Sequence, residues 1–244
     1  MSATRGKYTK ILVDEFDFSG DSNQLDIDTS TGSLDATTFA DTAKVMIADS
    51  PELTFQHNGF FGGIGAGEFE QELQERIGGA GAYVTALIGT DTAACPAYWL
   101  PLSTKSQFKI GNPVGGLSTI QAQWLTGPGG ARRGLRILDA TLSATGAQTG
   151  RDFGAAGSAG GYAILHVTAI TGSATNATIK VQSDSDVGFG SAADEGTFTF
   201  SAVGAYVITL SGAIGRYIRA DLTSLGGATN VTVVIAVAVE GVTM

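Results

Sequence analysis

Apolar and polar residues alternate along the second half of the chain in short runs that are typical of β-strands. In RYIRADL, alternation predicts that Tyr217, Arg219 and Asp221 share a wet face and that Ile218, Ala220 and Leu222 share a buried one. Turn residues separate six such runs: 162–170, 176–183, 196–202, 205–212, 216–223 and 230–239. This spacing predicts a compact β-sandwich over residues 161–244.

The first half, residues 1–146, predicts a β domain with one helix. In GEFEQELQERIGG, residues 67–79, Phe69, Leu73 and Ile77 recur four apart, so the helix should pack a narrow apolar stripe on a sheet. Residues 34–61 are predicted to form a strand, a turn-rich connection and a second strand. Further strands are expected at 82–89, 96–103, 106–111, 118–125 and 134–144.

The segment 147–160 is rich in Gly, Ala and Ser, which predicts a linker or long surface loop between the two halves. Composition agrees with an all-β protein, because 35 glycines and many Thr, Ser and Val residues accompany only 15% charged residues. Cys95 is the single cysteine, so no disulfide can form within one chain. The polar start and the short apolar run at 231–239 predict synthesis in the cytoplasm without membrane insertion.

Charge is distributed unevenly along the chain. The segment from Ile11 to Leu53 contains ten carboxylates and one cation, Lys44. Its net charge is therefore −9, equal to the formal charge of the whole protein. The segment from Lys105 to Arg151 contains six cations and one carboxylate, Asp139, so its net charge is +5. Two solvated loop faces would explain this pattern. A head-to-tail contact between the acidic stretch of one copy and the basic stretch of the next would also explain it.

Enzyme signatures are not met, so no catalytic residue, cofactor or metal site is predicted. GGIGAGEFEQEL, residues 62–73, resembles a dinucleotide loop, but Glu68 occupies the place of the third glycine. His57 and His166 have no second histidine at metal-ligand spacing, and nothing marks Cys95 as an activated thiol. A hydrolase using an unrecognised pair of carboxylates remains a minor alternative.

The segment LDATTFADTAKVMIADSPELTFQHNGFF carries a family resemblance. Asp35, Thr37, Thr38, Phe39, Asp41 and Thr42 are followed by Leu53, Phe55, Gly59 and Phe60 in the later strand. This arrangement resembles the major tail tube proteins of long-tailed, siphovirus-like bacteriophages over residues 8–145, although Ala40 stands where that family commonly has glycine. Residues 161–244 resemble the Ig-like or carbohydrate-binding-like modules appended to phage tail proteins.

The resemblance implies a tail-tube-type β-sandwich or barrel with one flanking helix, plus a smaller C-terminal sandwich. It implies rings, hexameric in many relatives, that stack into a tube through which double-stranded DNA passes. Expected partners are further copies, tail tip and terminator proteins, in a virion tail assembled in the host cytoplasm. Lumen-facing acids would be Asp14, Asp17, Asp26 and Asp28. Inter-subunit contacts would be Asp35, Phe39, Asp41, Lys44, Arg132, Arg133 and Arg136.

A second hypothesis is a receptor- or carbohydrate-binding tail module, in which the C-terminal sandwich binds the ligand. Its platform would be aromatic, and the candidate side chains are Tyr162, Phe189, Tyr206 and Tyr217.

Overall fold

The structure is a computed structural model, and it describes residues 9–38, 43–62, 72–74, 81–89 and 95–242, with the backbone alone at 34 and 47–51. Sixteen strands lie in these ranges, which confirms the all-β prediction. Seven belong to the N-terminal half: β1 (Lys10–Val13), β2 (Phe16–Asp17), β3 (Ser22–Asp35), β4 (Met46–Phe60), β5 (Ala82–Leu87), β6 (Cys95–Gly111) and β7 (Thr119–Leu125). Nine follow: β8 (Arg132–Leu142), β9 (Gly146–Ala147), β10 (Arg151–Asp152), β11 (Gly161–Gly172), β12 (Ala177–Asp184), β13 (Ala193–Phe200), β14 (Gly204–Leu210), β15 (Tyr217–Ser224) and β16 (Ala228–Val239).

The chain divides into two compact units that do not follow the predicted domain boundaries. The first unit contains residues 1–20, 83–99 and 132–244, and the second contains residues 21–82 and 100–131. The six C-terminal strands form where the alternation predicts them, but the sheet that holds three of them, β11, β14 and β16, continues into strands from the first hundred residues. The predicted split at 147–160 therefore differs from the observed division, because strand pairing joins β16 to β8.

In the first unit, one antiparallel sheet has the strand order β14-β11-β16-β8-β6-β5-β1-β2. A five-stranded sheet lies in the same unit, with the order β10-β15-β12-β13 and β9 paired to β15. As predicted, Ile218, Ala220 and Leu222 are buried, whereas the residues that alternate with them are partly exposed.

The strands β11 and β16 are buried on both faces over residues 163–167 and 233–239. One core cluster includes Leu165 of β11 together with Val233 and Ile235 of β16, packed with residues of the five-stranded sheet such as Ile179 and Phe198. A second cluster contains the residues that alternate with these, Ile164, Val234, Ala236 and Ala238, packed with Leu12, Leu87, Cys95, Ala97 and Trp99. The continuous apolar run near the C-terminus is therefore an internal strand with two covered faces.

Residues 147–160, predicted as a linker, pack onto the first unit. Phe153 is buried in the core of that unit, and Gly157 forms a β-bridge with Ile214. Gly160 has a φ of 80°, and a Cβ at this position would lie 2.4 Å from the carbonyl oxygen of Leu210. The glycines of this segment therefore allow close backbone packing and turns, and the segment is not a flexible linker.

The second unit contains a four-stranded antiparallel sheet in the order β3-β4-β7-β6, with residues Leu100–Gly111 contributing the β6 part. Its two faces differ sharply, because Phe55, Ile120 and Trp124 are fully buried on one side. The sequence Asn23–Ser33 was not predicted as a strand, although Leu25 and Ile27 alternate with Asp26 and Asp28. The two strands predicted at 96–103 and 106–111 are one continuous strand, β6, so the predicted break at 104–105 is absent.

The predicted helix at 67–79 lies mostly outside the described residues. Glu72, Leu73 and Gln74 are helical, and Leu73 is completely buried, as expected for one member of the apolar stripe. Among the described helical residues there is no segment with the length and hydropathy that a bilayer span requires.

Both histidines should make folding sensitive to mild acid. Burial lowers the pKa of His57 to about 3 and that of His166 to about 4, from an ordinary value of 6.5. The unfolded chain therefore binds protons first as the pH falls below 6.5, and stability is lost progressively toward the folded pKa values. At pH 5 we expect a loss of about 2 kcal/mol per histidine.

Urea unfolding at pH 7.5 and pH 5 measures this loss, because these two pH values lie on either side of the ordinary histidine pKa of 6.5. Equal free energies of unfolding at the two pH values would contradict the prediction.

Candidate assembly surfaces

One face of the sheet in the second unit is covered with polar side chains, and we call it the polar face. Asp26 and Asp28 of β3 are exposed there and lie opposite Gln56 and Thr54 of β4 in the strand register. Asp26 Oδ2 accepts a hydrogen bond of 2.8 Å from Gln24 Nε2. Two of the four predicted lumen acids are therefore neighbours on one strand, because alternate residues of a strand point the same way.

Amide side chains continue the polar face across the sheet. Gln56 of β4 pairs in register with Gln123 of β7, and Asn58 pairs with Gln121. A shallow cleft of about 320 Å³ lies beside them, lined by Asn23, Gln24, Asn58, Lys109, Gly111, Thr119, Ile120 and Gln121. Amides and carboxylates therefore dominate this surface, and Lys109 is the one cation lining the cleft.

The second unit also carries most of the negative charge of the protein. Its two sequence ranges contain eleven Asp and Glu residues against four Lys and Arg residues, leaving −7 of the total of −9. The exposed carboxylates of β3 therefore lie within a strongly acidic unit, where they raise the local negative potential.

Both edges of this sheet are open in the described part of the chain. β3 pairs only with β4, and the Thr104–Gly111 part of β6 pairs only with β7. β3 is fourteen residues long, and its residues 28–33 are exposed. An unpaired edge of this length presents a row of backbone donors and acceptors to another strand.

The predicted contact residues Asp35 and Lys44 lie together where β3 and β4 meet at their turn. Lys44 Nζ is 3.7 Å from Asp35 Oδ2, and both side chains are more than half exposed. Asp35 Oδ1 accepts hydrogen bonds from the hydroxyl of Thr37 at 2.5 Å and from its N–H at 3.0 Å. These bonds, led by the Thr37 hydroxyl, lower the pKa of Asp35. Phe39 and Asp41 lie outside the described residues.

Asp14 and Asp17 belong to the first unit and have local structural roles. The carboxylate of Asp14 accepts the N–H of Tyr83 at 2.9 Å, and its carbonyl oxygen accepts the Nδ1–H of His166 at 2.6 Å. Asp17 accepts the N–H of Ser19 at 3.0 Å and lies 3.8 Å from Lys10 Nζ. These carboxylates are therefore not members of the polar face.

The three predicted contact arginines differ in accessibility. Arg136 is buried, with 4% of its surface exposed, and its Nη1 donates a 3.0 Å bond to Asp139 Oδ2. Arg132 stacks over the ring of Tyr162 at 4.1 Å. Of the three, Arg133 alone is exposed to solvent. The expectation that Arg136 forms a surface contact is therefore corrected, because this guanidinium is enclosed and already paired.

The histidines and the cysteine are buried structural residues. The Nδ1 of His166 faces a carbonyl oxygen, which can only accept, so Nδ1 carries the proton and Nε2 accepts from the Thr85 hydroxyl at 2.7 Å. His57 Nε2 is hydrogen bonded to the hydroxyl of Ser22. Cys95 is buried. Within the described ranges, no three His, Cys, Asp or Glu side chains are grouped closely enough to hold a metal ion.

The four aromatic candidates for ligand binding do not form one platform. Tyr162 and Tyr206 pack against two different core clusters. The ring of Phe189 lies 4.3 Å from the Arg219 guanidinium, and Tyr217 lies beside Arg216 at 5.3 Å. Of the four rings, only Phe189 and Tyr217 lie at β15: Phe189 contacts its Arg219, and Tyr217 is its first residue.

Comparison with known proteins gives only distant structural similarity. No family model and no curated protein matches the chain. A chain of the anti-feeding prophage baseplate, solved by cryo-EM with six-fold symmetry, has a TM-score of 0.34 and 9% identity, covering 55% of this chain and 97% of its own. The Dit protein of phage SPP1, a hub of the adsorption apparatus, has a TM-score of 0.33 and 13% identity, covering 94% of this chain and 98% of its own. Neither value establishes a shared family.

Sequence reasoning missed the open edges of the sheet and the pairing of Arg136. The alternation Leu25, Asp26, Ile27, Asp28 could have revealed an amphipathic strand, but an open edge depends on which strands pair. Likewise, Arg136 and Asp139 are three residues apart, yet only the fold shows that they are enclosed.

A buried role for Arg136 predicts a strong effect when its partner is removed. Asp139→Ala should destabilise the protein by about 3 kcal/mol, because a buried guanidinium loses its carboxylate. Lys10 also binds Asp139, at 2.8 Å, but is about one-third exposed, so Lys10→Ala should cost less than about 1 kcal/mol. Urea unfolding at pH 7.5 measures both variants, and a near wild-type Asp139→Ala protein would contradict the assignment.

Proposed function

We propose that this protein is a structural subunit of a phage tail that polymerises as stacked rings into the tail tube. The observation that carries the proposal is the sheet of the second unit: it is antiparallel, polar on one face and, among the described residues, open at both edges. A sheet of this kind can close into a larger barrel when copies join edge to edge. The proposed action is mechanical and electrostatic, and it requires no catalytic residue or cofactor.

Ring closure would use the two different edges of the sheet. The outer edge of β3 in one copy would pair with the Thr104–Gly111 part of β6 in the next. This contact is heterologous, so repeated use with the right rotation closes a ring. Closure also removes both exposed edges, which otherwise promote uncontrolled aggregation. We propose six copies, in keeping with the tail tube resemblance.

The dimensions of such a ring suit a DNA channel. Six copies would contribute 24 strands, and a spacing of about 4.8 Å gives a barrel about 37 Å across at the backbone, or wider when the strands tilt. The apolar face is filled within the unit by Phe55, Ile120 and Trp124, so the polar face would line the channel. Double-stranded DNA is then the proposed cargo.

The charge of the polar face supports passage without retention. Asp26 and Asp28 would repel phosphates, the amides beside them are uncharged, and Lys109 adds one cation per copy against these two carboxylates. Because no dense cationic surface would face the DNA, counterion release could not drive binding to the wall. Double-stranded DNA would therefore slide through the channel without a specific site.

Further contacts between copies are proposed at exposed charges. Arg133 is the accessible arginine of the basic stretch, and Asp35 and Lys44 are accessible at the β3–β4 turn. Phe39 and Asp41, which lie between these two residues in the sequence, remain proposed contacts. The remaining proposed partners are tail tip and terminator proteins, with assembly in the host cytoplasm and a final location in the virion tail.

Assembly itself is the first test of this proposal. Purified, concentrated protein should form rings or hollow tubes of uniform width in negative-stain electron microscopy. Hydrogen exchange should show slower backbone amides in residues 24–31 and 106–110 of the assembled protein than in the monomer, because new strand pairs protect them.

The edge strands β13 and β14 of the first unit provide the internal control and should exchange equally in both states. Assembly without protection of β3 and β6 would refute edge-to-edge closure. Persistent monomers, even with a tail tip complex present as nucleus, would refute the tube proposal.

A charge reversal on the polar face should make the channel retain DNA. Assembled Asp28→Lys protein should bind double-stranded DNA at low salt and release it as salt rises, because the six new lysines would join the six copies of Lys109 in the proposed lumen and six carboxylates would be lost. Glu240→Lys is the matched control, since it makes the same change of charge at an exposed position of the first unit.

Gel retardation of assembled particles across a salt series measures the difference between these variants. Equal DNA binding by the two variants would place Asp28 away from the lumen.

A further inference from the structure

We infer that an apolar cluster at one end of the second unit's sheet is the axial contact between successive rings, with a second copy of this chain as its partner. The cluster, which we call the apolar end, consists of Phe60, Phe61, Ile110, Val114 and Leu117. This inference rests on the proposed function, and it adds which surface stacks the rings as distinct from closing them.

These side chains meet at one end because of strand pairing. Phe60 lies opposite Thr119 in register, and the N–H of Phe61 donates a 3.0 Å bond to the carbonyl oxygen of Ser118. Gly111 also pairs with Thr119 across the β6–β7 hairpin. The end of β4, the end of β6 and the 112–118 loop therefore lie side by side at this end of the sheet.

The loop has an internal structure that holds its apolar residues outward. The Ser118 hydroxyl donates a 2.8 Å bond to Asn112 Oδ1, and the N–H of Gly116 donates a 3.2 Å bond to the carbonyl oxygen of Pro113. Within this closed loop Val114 is fully exposed and Leu117 is 70% exposed. Because hydrogen bonds already order this loop, a partner that covers the two aliphatic side chains loses little conformational entropy of the loop on binding.

The distribution of exposed apolar residues supports a contact of the second unit. Among the described residues, every strongly exposed large apolar side chain except Val187 and Val203 belongs to that unit. The apolar end contains five of them, and the opposite end of the same sheet contains Val45 and Met46 beside the β3–β4 turn.

Exposed apolar side chains at both ends of the sheet point to a second copy of this chain as the partner that covers the apolar end. The two apolar surfaces lie at opposite ends of β4, whose fifteen residues span about 50 Å. A copy displaced along the strands would place its Val45 and Met46 against the apolar end of the first. Because the sheet edges are taken by ring closure, the ends remain for contact along the tube axis, and a head-to-tail contact of this type extends without limit.

The first experiment separates stacking from ring closure. Val114→Ser with Leu117→Ser should leave single rings intact while raising the protein concentration needed for tube growth by about tenfold or more, because two apolar side chains no longer leave water. Val187→Ser with Val203→Ser is the matched control, and it should form tubes like the wild type. Sedimentation velocity and negative-stain microscopy across a concentration series measure rings and tubes separately.

The outcomes distinguish the two levels of the proposal. Tubes formed by the Val114 and Leu117 double variant at the wild-type concentration would overturn the axial contact and leave the tube proposal standing. Loss of rings as well as tubes, with the monomer still folded, would overturn the assignment to stacking because the cluster would then serve ring closure. Absence of rings in the wild type would overturn the proposed function together with this inference.

Covalent trapping provides an independent readout. A chain carrying Met46→Cys and Leu117→Cys should form a ladder of disulfide-linked multimers on mild oxidation of the assembled protein, whereas Met46→Cys with Val187→Cys should not. The native Cys95 is buried, so it contributes little background. A ladder of equal length in both variants, or in neither, would contradict contact between the two ends.

Discussion

The pairing of β11 with β16 is the interaction on which the first unit depends. Their register runs from Gly161 opposite Val239 to Gly172 opposite Ala228, and residues 163–167 and 233–239 are covered on both faces. One face packs on the five-stranded sheet and the other packs on residues from β1, β5 and β6. Strands close to opposite ends of the sequence therefore share a single hydrophobic unit, and no independent C-terminal domain can be cut from it without exposing a core surface.

The sheet of the second unit satisfies a different constraint. One face is buried around Phe55 and Trp124 and the other is exposed to solvent. Within the part of the chain that the structure describes, its two outer strands each pair on one side only. Antiparallel sheets accept water on one face, but open edges of this length are normally protected. The proposed association of copies would provide that protection, which is why the edges, more than any single side chain, direct the functional proposal.

Charged residues divide into two classes once burial is known. Arg136 and Asp139 form an enclosed pair, and Asp14 holds the backbone of Tyr83 and the imidazole of His166. Asp26, Asp28 and Arg133 are accessible, so they can act on molecules outside the chain. A count of charges along the sequence does not separate enclosed from accessible residues, because sequence position alone carries no information about solvent exposure.

Alternation by itself determined the all-β class, the six C-terminal strands and the buried side of β15, since a period of two is a local property of a strand. The long β3, the continuous β6 and the packing of 147–160 required the fold, because partners distant in sequence stabilise them. The same holds for the candidate surface: Asp26 and Asp28 were identifiable as acidic candidates, and Arg136 was identifiable as a cation. Only tertiary structure decided that the first two share a wet face while the third is enclosed, because burial and strand edges follow from non-local pairing.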